Sequence, residues 1–447
     1  MDLLSIIKSI NGVLWGYVLI FLLCGTGIYF TVTLRFVQIR KFKAAFKKTF
    51  GGVKFGHKAG KDGMSSFQAM TTSIAAQVGT GNLAGAATAM VSGGPGAIFW
   101  MWISAFFGMA TIFAEAVLGQ KFKQTVDGEV TGGPAYYISK GLGSKKLAAF
   151  FSVTIIIALG FIGNMVQSNS IGAAISENTN IRIVVGVIVA ALAAMIFIGG
   201  VGRIAAFTEK VVPVMALFYI VGSLGIILVN YAHIGEAFRM IFVGAFNPQA
   251  ITGGVMGVGV KEAMRYGIAR GLFSNEAGMG STPHAHAVAK VKHPAEQGLV
   301  GIVCVFIDTF IILTLTAMVI LTTGALDGKT TGIALTQKAF SNGMGSFGGP
   351  FIAIALFFFA FSTIVAWYFF GEANVKYLFG KKALTPYRVL VVIFIVLGSA
   401  LKVELVWELA DTFNGLMVIP NLLALLGLRA LVKKSLDDYE DDFEKKN

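Results

Sequence analysis

The chain alternates long uncharged apolar runs with short charged segments. Residues 9–34, between Lys8 and Arg35, hold no charged side chain. A helix of that length spans a hydrocarbon core of about 30 Å, and it exceeds the roughly 7–15 apolar residues of a signal-peptide core. The pattern predicts a retained first helix over 11–34. The next uncharged run covers 63–114. As one helix it would be about 78 Å long, so it must fold back, and Ser92-Gly93-Gly94-Pro95-Gly96 supplies the turn. Helices are therefore expected at 65–91 and 96–118, then at 148–175, 183–201, 208–229, 262–285, 298–323, 348–371, 386–402 and 407–429. With the first, that makes eleven. The uncharged stretch 240–260 contains Asn247-Pro248 and repeated glycines and reads as part of an external loop.

The few charges orient the chain. Residues 35–61 carry nine Lys or Arg and no acid, which marks a cytoplasmic segment. Alternation then puts the N-terminus outside and the C-terminus inside. It also puts the basic loops 119–147, 286–297 and 372–388 on the cytoplasmic side. The predicted organisation is an extra N-terminal transmembrane helix (1–34), a basic cytoplasmic segment (35–64), a first five-helix unit (65–229), an extracellular loop (230–261), a second five-helix unit (262–429) and a cytoplasmic tail (430–447). The acidic stretch 437–444 reads as a solvated end.

Composition narrows the class. Of 447 residues, 55% are hydrophobic and 13% charged, about half the charge of an ordinary soluble domain. A soluble enzyme and a disordered chain are excluded. The net charge of +13 is spread over separate short loops, so no nucleic-acid partner is expected. Cys24 and Cys304 lie in apolar runs and imply neither a disulfide framework nor a metal site. The chain reads as an all-α integral membrane protein, multi-pass in the cell membrane, with the lipid bilayer as its surroundings and no cofactor.

After the first helix, each predicted start recurs about 200 residues later through five pairs. Five is odd, so the second unit crosses the membrane in the opposite sense. Inverted repeats with a midplane site are typical of secondary transporters. The first helix of each unit also carries glycines and polar residues mid-span: Ala75-Ala76-Gln77-Val78-Gly79-Thr80-Gly81-Asn82 and Gly271-Leu272-Phe273-Ser274-Asn275-Glu276-Ala277-Gly278-Met279-Gly280-Ser281. Glycine frees a helix to unwind, and unwound backbone within a bilayer is tolerated only where it lines a cavity or is buried in protein. Close helix packing is the other reading of such glycines.

Glu115, Glu276 and Asp308 are acids at membrane depth and need a cavity or a partner. Glu276 suits a substrate ammonium, a pair with Arg270, or freed backbone N–H groups. Glu115 suits a helix lock or gate, and Asp308 an ion ligand or an internal salt bridge. Ser362 and Thr363, taken alone, favour bonding back to their own helix. Asn164, Gln167 and Ser168 form a polar stripe that suits either helix–helix glue or a pocket wall. His284 and His286 read as solvated residues at a cytoplasmic helix end.

Gly93-Gly94-Pro95-Gly96-Ala97-Ile98-Phe99-Trp100-Met101-Trp102-Ile103-Ser104-Ala105-Phe106-Phe107-Gly108 closely resembles the signature of the alanine or glycine:cation symporter family. Gly79-Thr80-Gly81-Asn82, Gly132-Gly133-Pro134-Ala135-Tyr136-Tyr137 and 271–287 resemble further blocks of it. The resemblance implies a leucine-transporter-type fold, five plus five inverted helices, with breaks near 78–82 and 273–280 in the first and sixth core helices. It implies that the amides of Thr80 and Gly81, flanked by Gly79 and Asn82, hold a substrate carboxylate. Gln77, Phe273, Ser274, Asn275 and Glu276 would lie at the ammonium, and Asn164, Ser168 and Trp367 would wall the pocket. A sodium ion would sit among Ala75, Val78, Phe359, Ser362 and Thr363. The expected activity is sodium-coupled symport of alanine or glycine by a monomer through alternating access. A proton-coupled carrier using Glu276 or Asp308 is the nearest rival. A channel would lack paired breaks, and a membrane enzyme would need a catalytic constellation that five scattered histidines do not supply.

Overall fold

The structure is a computed structural model that describes residues 3–51, 63–247, 259–401 and 403–443. Among these residues nine helices are long and apolar enough to cross a membrane: Leu4–Thr33, Ala97–Lys121, Lys145–Ile175, Thr179–Ile198, Gly200–Val229, Pro294–Thr322, Gly332–Phe379, Lys381–Ala400 and Glu404–Gly427. Two further segments, 66–93 and 260–287, are helical at both ends and interrupted between. Peripheral helices leave Phe21, Ile198 and Val229 exposed, as a lipid-facing surface allows. The interrupted segments are buried among the others.

Several departures from the sequence reading have local causes. A short hairpin pairs Gln124–Val126 with Glu129–Thr131, an exception to an all-helical chain. Its turn is Asp127-Gly128, both at positive φ, the pair that a tight hairpin turn prefers. Within the expected external loop, Ile234–Phe246 is helical. At about 20 Å it is too short to cross, and it lies on the Trp100 helix, where the indole N–H donates to Ala245 O at 3.2 Å. The remainder of that loop, 248–258, lies outside the described residues, as do 52–62 of the basic segment and 444–447 of the tail. The acidic tail is not simply a solvated end. It begins as the helix Arg429–Asp438, and Asp437 and Glu440 pair with Arg35 at 2.7 and 2.8 Å, while Glu440 also pairs with Arg40 at 2.5 Å.

The first interrupted segment starts with Ser66–Gln77, opened by a capping box between Ser65 and Gln68. Val78, at φ −83° and ψ 87°, leaves the helix, and a wide π turn resumes at Gly81–Gly85. Gly79 has to be glycine, because an added Cβ would lie 2.5 Å from Thr363 Oγ1. The second segment is helical over Val260–Asn275. Its break therefore begins at Glu276, three residues later than expected from Phe273. The reason is that Phe273, Ser274 and Asn275 carry no helix breaker, whereas Gly278 and Gly280 adopt φ of 93° and 78°, open only to glycine at low cost. A short helix, Pro283–Ala287, follows. The end of this segment is pinned to the start of the first by Met64 N–H to Val288 O at 3.0 Å and Lys290 N–H to Met64 O at 2.9 Å.

Glu115 holds the second break in shape. Its carboxylate accepts from the N–H groups of Gly278 (3.0 Å) and Gly280 (2.8 Å) and from the Asn421 amide (2.6 Å). Asn421 also donates to Gly278 O at 2.9 Å and accepts from the Tyr137 hydroxyl. Removing the carboxylate strands two buried N–H groups, each costing about 1–3 kcal/mol. Glu115→Ala should therefore lower the thermal unfolding midpoint of detergent-purified protein markedly. Glu115→Gln, which keeps one acceptor oxygen, should lower it less. Equal midpoints for Glu115→Ala and the parent would show that the break does not depend on this carboxylate.

Candidate substrate and ion site

Unwinding at Val78 leaves Ala75 O without its usual helical donor. The Gly79 N–H turns instead to Asn82 Oδ1 at 3.0 Å and Gln77 O at 3.1 Å. The Thr363 hydroxyl lies 2.8 Å from Ala75 O, 3.0 Å from Phe359 O and 3.5 Å from Val78 O. One hydroxyl has one proton to donate, so these oxygens outnumber the donor between them. Four hard oxygens converging at a buried position are a donor set of the kind an alkali cation takes. Ser362 is placed differently. Its hydroxyl donates to Phe359 O at 2.9 Å and lies 3.5 Å from Met215 Sδ, so it is bonded to its own helix.

Beside this cluster the first break faces the helix that carries Asn164 and Ser168. Gln167, named in the polar stripe but given no role, accepts from the Thr80 N–H at 3.2 Å. Asn164 donates to Gly160 O at 3.0 Å and Gln77 to Asn275 O at 2.7 Å. Among the described residues, Gln77 Oε1, Thr80 Oγ1, Asn164 Oδ1 and Ser168 Oγ find no hydrogen-bond partner, although all are buried. Leaving one such atom unpaired costs free energy. Four of them among residues nominated for the pocket mark polar surface suited to a polar guest.

Other nominated residues are committed to the protein. Asn82 donates to Asp308 Oδ1 at 2.7 Å, and the Ser274 hydroxyl donates to the same carboxylate at 3.0 Å. Thr309 supplies a third bond at 2.8 Å. Asp308 therefore ties the two broken segments together through neutral donors, and among the described residues the salt bridge considered for it is not formed. Gly81 lies against Ser274, whose Cα an added Cβ would approach at 3.0 Å. Asn275 accepts the Ala277 N–H at 3.1 Å. Glu276 accepts from the Trp367 indole N–H and from Ser281 Oγ at 2.5 Å. The pairing of Glu276 with Arg270 is corrected, since Arg270 forms two bonds to Asp411 at 2.7 and 2.6 Å. His284 and His286 are also corrected from solvated to buried. His284 bonds Asn374 at 2.8 Å, and His286 bonds Gln297 at 2.9 Å.

Aromatic rings close the region on one side. Phe273 meets Trp367 edge-on at 5.8 Å and Trp407 at 4.9 Å, and the Arg270 guanidinium lies 4.8 Å over Trp407. Beyond Arg270 and Trp407 opens a cavity of about 910 Å³, bounded farther out by Lys8, Glu177 and Glu404. Trp407 and Asp411 are missed by sequence reasoning, because nothing near them in the chain refers to the breaks. Among the described residues no group of three or more His, Cys, Asp or Glu is placed to hold a metal ion.

The chain matches the sequence model of the Sodium:alanine symporter family over residues 1–447. It is 42% identical to the sodium/alanine symporter AgcS of Methanococcus maripaludis over 97% of this chain and 96% of that one. It is also 42% identical to the probable sodium/glutamine symporter GlnT of Bacillus subtilis, over 97% and 90% of the two chains. Among solved structures, MhsT in complex with L-phenylalanine superposes with a TM-score of 0.56 at 13% identity, covering 85% of this chain and 98% of that one. A manganese transporter of Eremococcus coleocola gives 0.52 at 13% identity, over 81% and 76%. These likenesses show a leucine-transporter-type fold. Its matched length and identities establish that the chain belongs to the sodium:alanine symporter family, as a multi-pass membrane symporter that couples amino-acid movement to a cation and is not an enzyme.

Proposed function

We propose that the protein carries alanine, glycine or both into the cell with sodium by alternating access. The observation that carries this reading is the convergence of Ala75 O, Val78 O and Phe359 O on the Thr363 hydroxyl. Sodium at that point replaces a single shared proton with a full positive charge and satisfies the three carbonyls at once. It also fixes the first break against the helix of Phe359, so that ion binding shapes the amino-acid site. Ser362 joins only by rotating away from its own carbonyl bond. In the adjoining space the amides of Thr80 and Gly81 take the substrate carboxylate, with Gln167 released from the Thr80 N–H. Gln77 Oε1, Thr80 Oγ1, Asn164 Oδ1 and Ser168 Oγ accept from the ammonium or from water beside it. The rigid wall of Phe273 and Trp367 restricts the side chain to a small one.

The same reading has eleven crossings, with one helix followed by two inverted five-helix units, functioning as a monomer. The N-terminus is outside and the C-terminus inside, so the cavity above Trp407 faces outward. Arg270, Asp411 and Trp407 then form a thin outer barrier, and Glu115 with the second break belongs to the thick inner one. An inside-negative potential of 100 mV adds about 2.3 kcal/mol per charge to the sodium gradient.

Uptake of labelled alanine into proteoliposomes tests this. An inward sodium gradient should drive accumulation, with glycine competing and glutamine not. Uptake driven by an acid exterior and indifferent to replacing sodium with choline would favour the proton-coupled reading through Asp308, whose partners are all neutral. Thr363→Val keeps the volume and removes the hydroxyl. It should raise the sodium concentration for half-maximal uptake by about tenfold or more, the scale of one bond to a charged group. Ser362→Ala should shift it far less. A parent-like sodium curve for Thr363→Val would remove the ion from this position.

A further inference from the structure

The first span ends in a sharp turn made by Arg35 and Phe36, both in the left-handed region at φ 57° and 54°. Neither is glycine, so the turn is held by its surroundings. The Phe36 N–H donates to Thr31 O at 2.7 Å, and the Arg40 guanidinium donates to Arg35 O at 3.2 Å. The turn redirects the chain into Val37–Arg40 and Phe42–Phe50. One face of this segment packs inward. Ala45 and Thr49 are buried, and the Phe42 ring meets Phe306 at 4.8 Å. Lys48 pairs with the buried Glu296.

Among the described residues nothing covers the opposite face. Phe36, Ile39, Phe46 and Phe50 are 47%, 60%, 51% and 39% exposed, with Lys43 and Lys47 exposed among them. Within Phe42–Phe50 the positions 43, 46, 47 and 50 follow helical spacing, so two rings and two ammonium groups share one stripe, with Phe36 and Ile39 exposed just before it. Val32, at the end of the first span, is 61% exposed, and the stripe continues from its lipid-facing side. A helix with aromatic residues and lysines along one outer face suits the headgroup boundary, where rings enter the acyl region and ammonium groups reach anionic phosphates.

We infer that residues 36–50 form an interfacial arm that binds anionic lipid headgroups of the leaflet in which the first span ends. Uptake does not require this assignment, and the arm is independent of the transport site. Its charge is complementary to anionic lipid. Its position at the end of a membrane helix brings it to that surface without further ordering.

The test uses full-length protein with Cys24→Ser and Cys304→Ala, carrying a nitroxide at Phe46→Cys, after alanine uptake has shown the background to be intact. The protein is reconstituted in phosphatidylcholine with one quarter phosphatidylglycerol, and label access to oxygen and to a water-soluble nickel chelate is measured. A label at Lys329→Cys, on an exposed loop, gives the aqueous reference. Nickel access at position 46 should be several-fold below that reference. It should rise towards the reference in pure phosphatidylcholine, and also when Lys43→Gln and Lys47→Gln are added. Nickel access equal to the loop reference in the mixed vesicles would overturn the arm. So would shielding that is indifferent to headgroup charge and to both lysines, or dipolar broadening that reports a second copy over the stripe.

Discussion

A peptide group that leaves its helix inside a bilayer has no water to turn to, so the protein must supply every partner the break removes. Among the described residues two buried segments leave the helix, at Val78 and at Glu276, and the two losses are answered differently. At the second break the freed N–H groups of Gly278 and Gly280 are taken by the Glu115 carboxylate, itself steadied by Asn421. At the first break Asn82 takes the Gly79 N–H and Gln167 the Thr80 N–H. The carbonyls of Ala75 and Val78, however, share one hydroxyl with Phe359 O. The freed amides of both breaks are thus taken by protein side chains, while at the first break three carbonyls converge on one hydroxyl, rich in oxygen and short of positive charge.

That asymmetry gives the site its chemistry. In the proposed function a cation beside Thr363 meets carbonyl dipoles already aimed, and the backbone it draws together is the backbone proposed to meet the amino acid. Asp308 extends the coupling, because Asn82 of one segment and Ser274 of the other are bonded to the same carboxylate. Movement of either segment is therefore felt by the other. Trp367 ties the helix of Phe359 and Thr363 to the second segment, packing on Phe273 while its indole N–H is bonded to Glu276. The residues expected to touch substrate thus divide into those with spare polar atoms and those that hold the frame.

The breaks were legible because glycines with polar neighbours at membrane depth have few other uses, and the offset of about 200 residues doubled the signal. Gln77, Thr80, Asn164 and Ser168 could be nominated for the same reason, as polar groups where lipid would reject them. The part played by Glu115 was less legible, since its partners stand 163, 165 and 306 residues away. Ser362 and Thr363 look alike in the chain, and only the position of the Ala75 helix separates them. His284 and His286 were misplaced because a helix end next to basic residues resembles a solvated loop, whereas here neighbouring helices bury it. Ile234–Phe246 escaped notice because a span-length criterion ignores a helix that lies against others without crossing.

Hydrogen–deuterium exchange at the two breaks tests the asymmetry most directly. The protein would be compared in choline, in sodium, and in sodium with alanine. The account predicts that amides in 278–280 exchange slowly in all three conditions, because Glu115 holds them. Amides in 78–82 should exchange faster in choline and become protected by sodium, and further by alanine. Unchanged exchange over 78–82 across the three conditions, or ligand-dependent protection confined to 278–280, would contradict it.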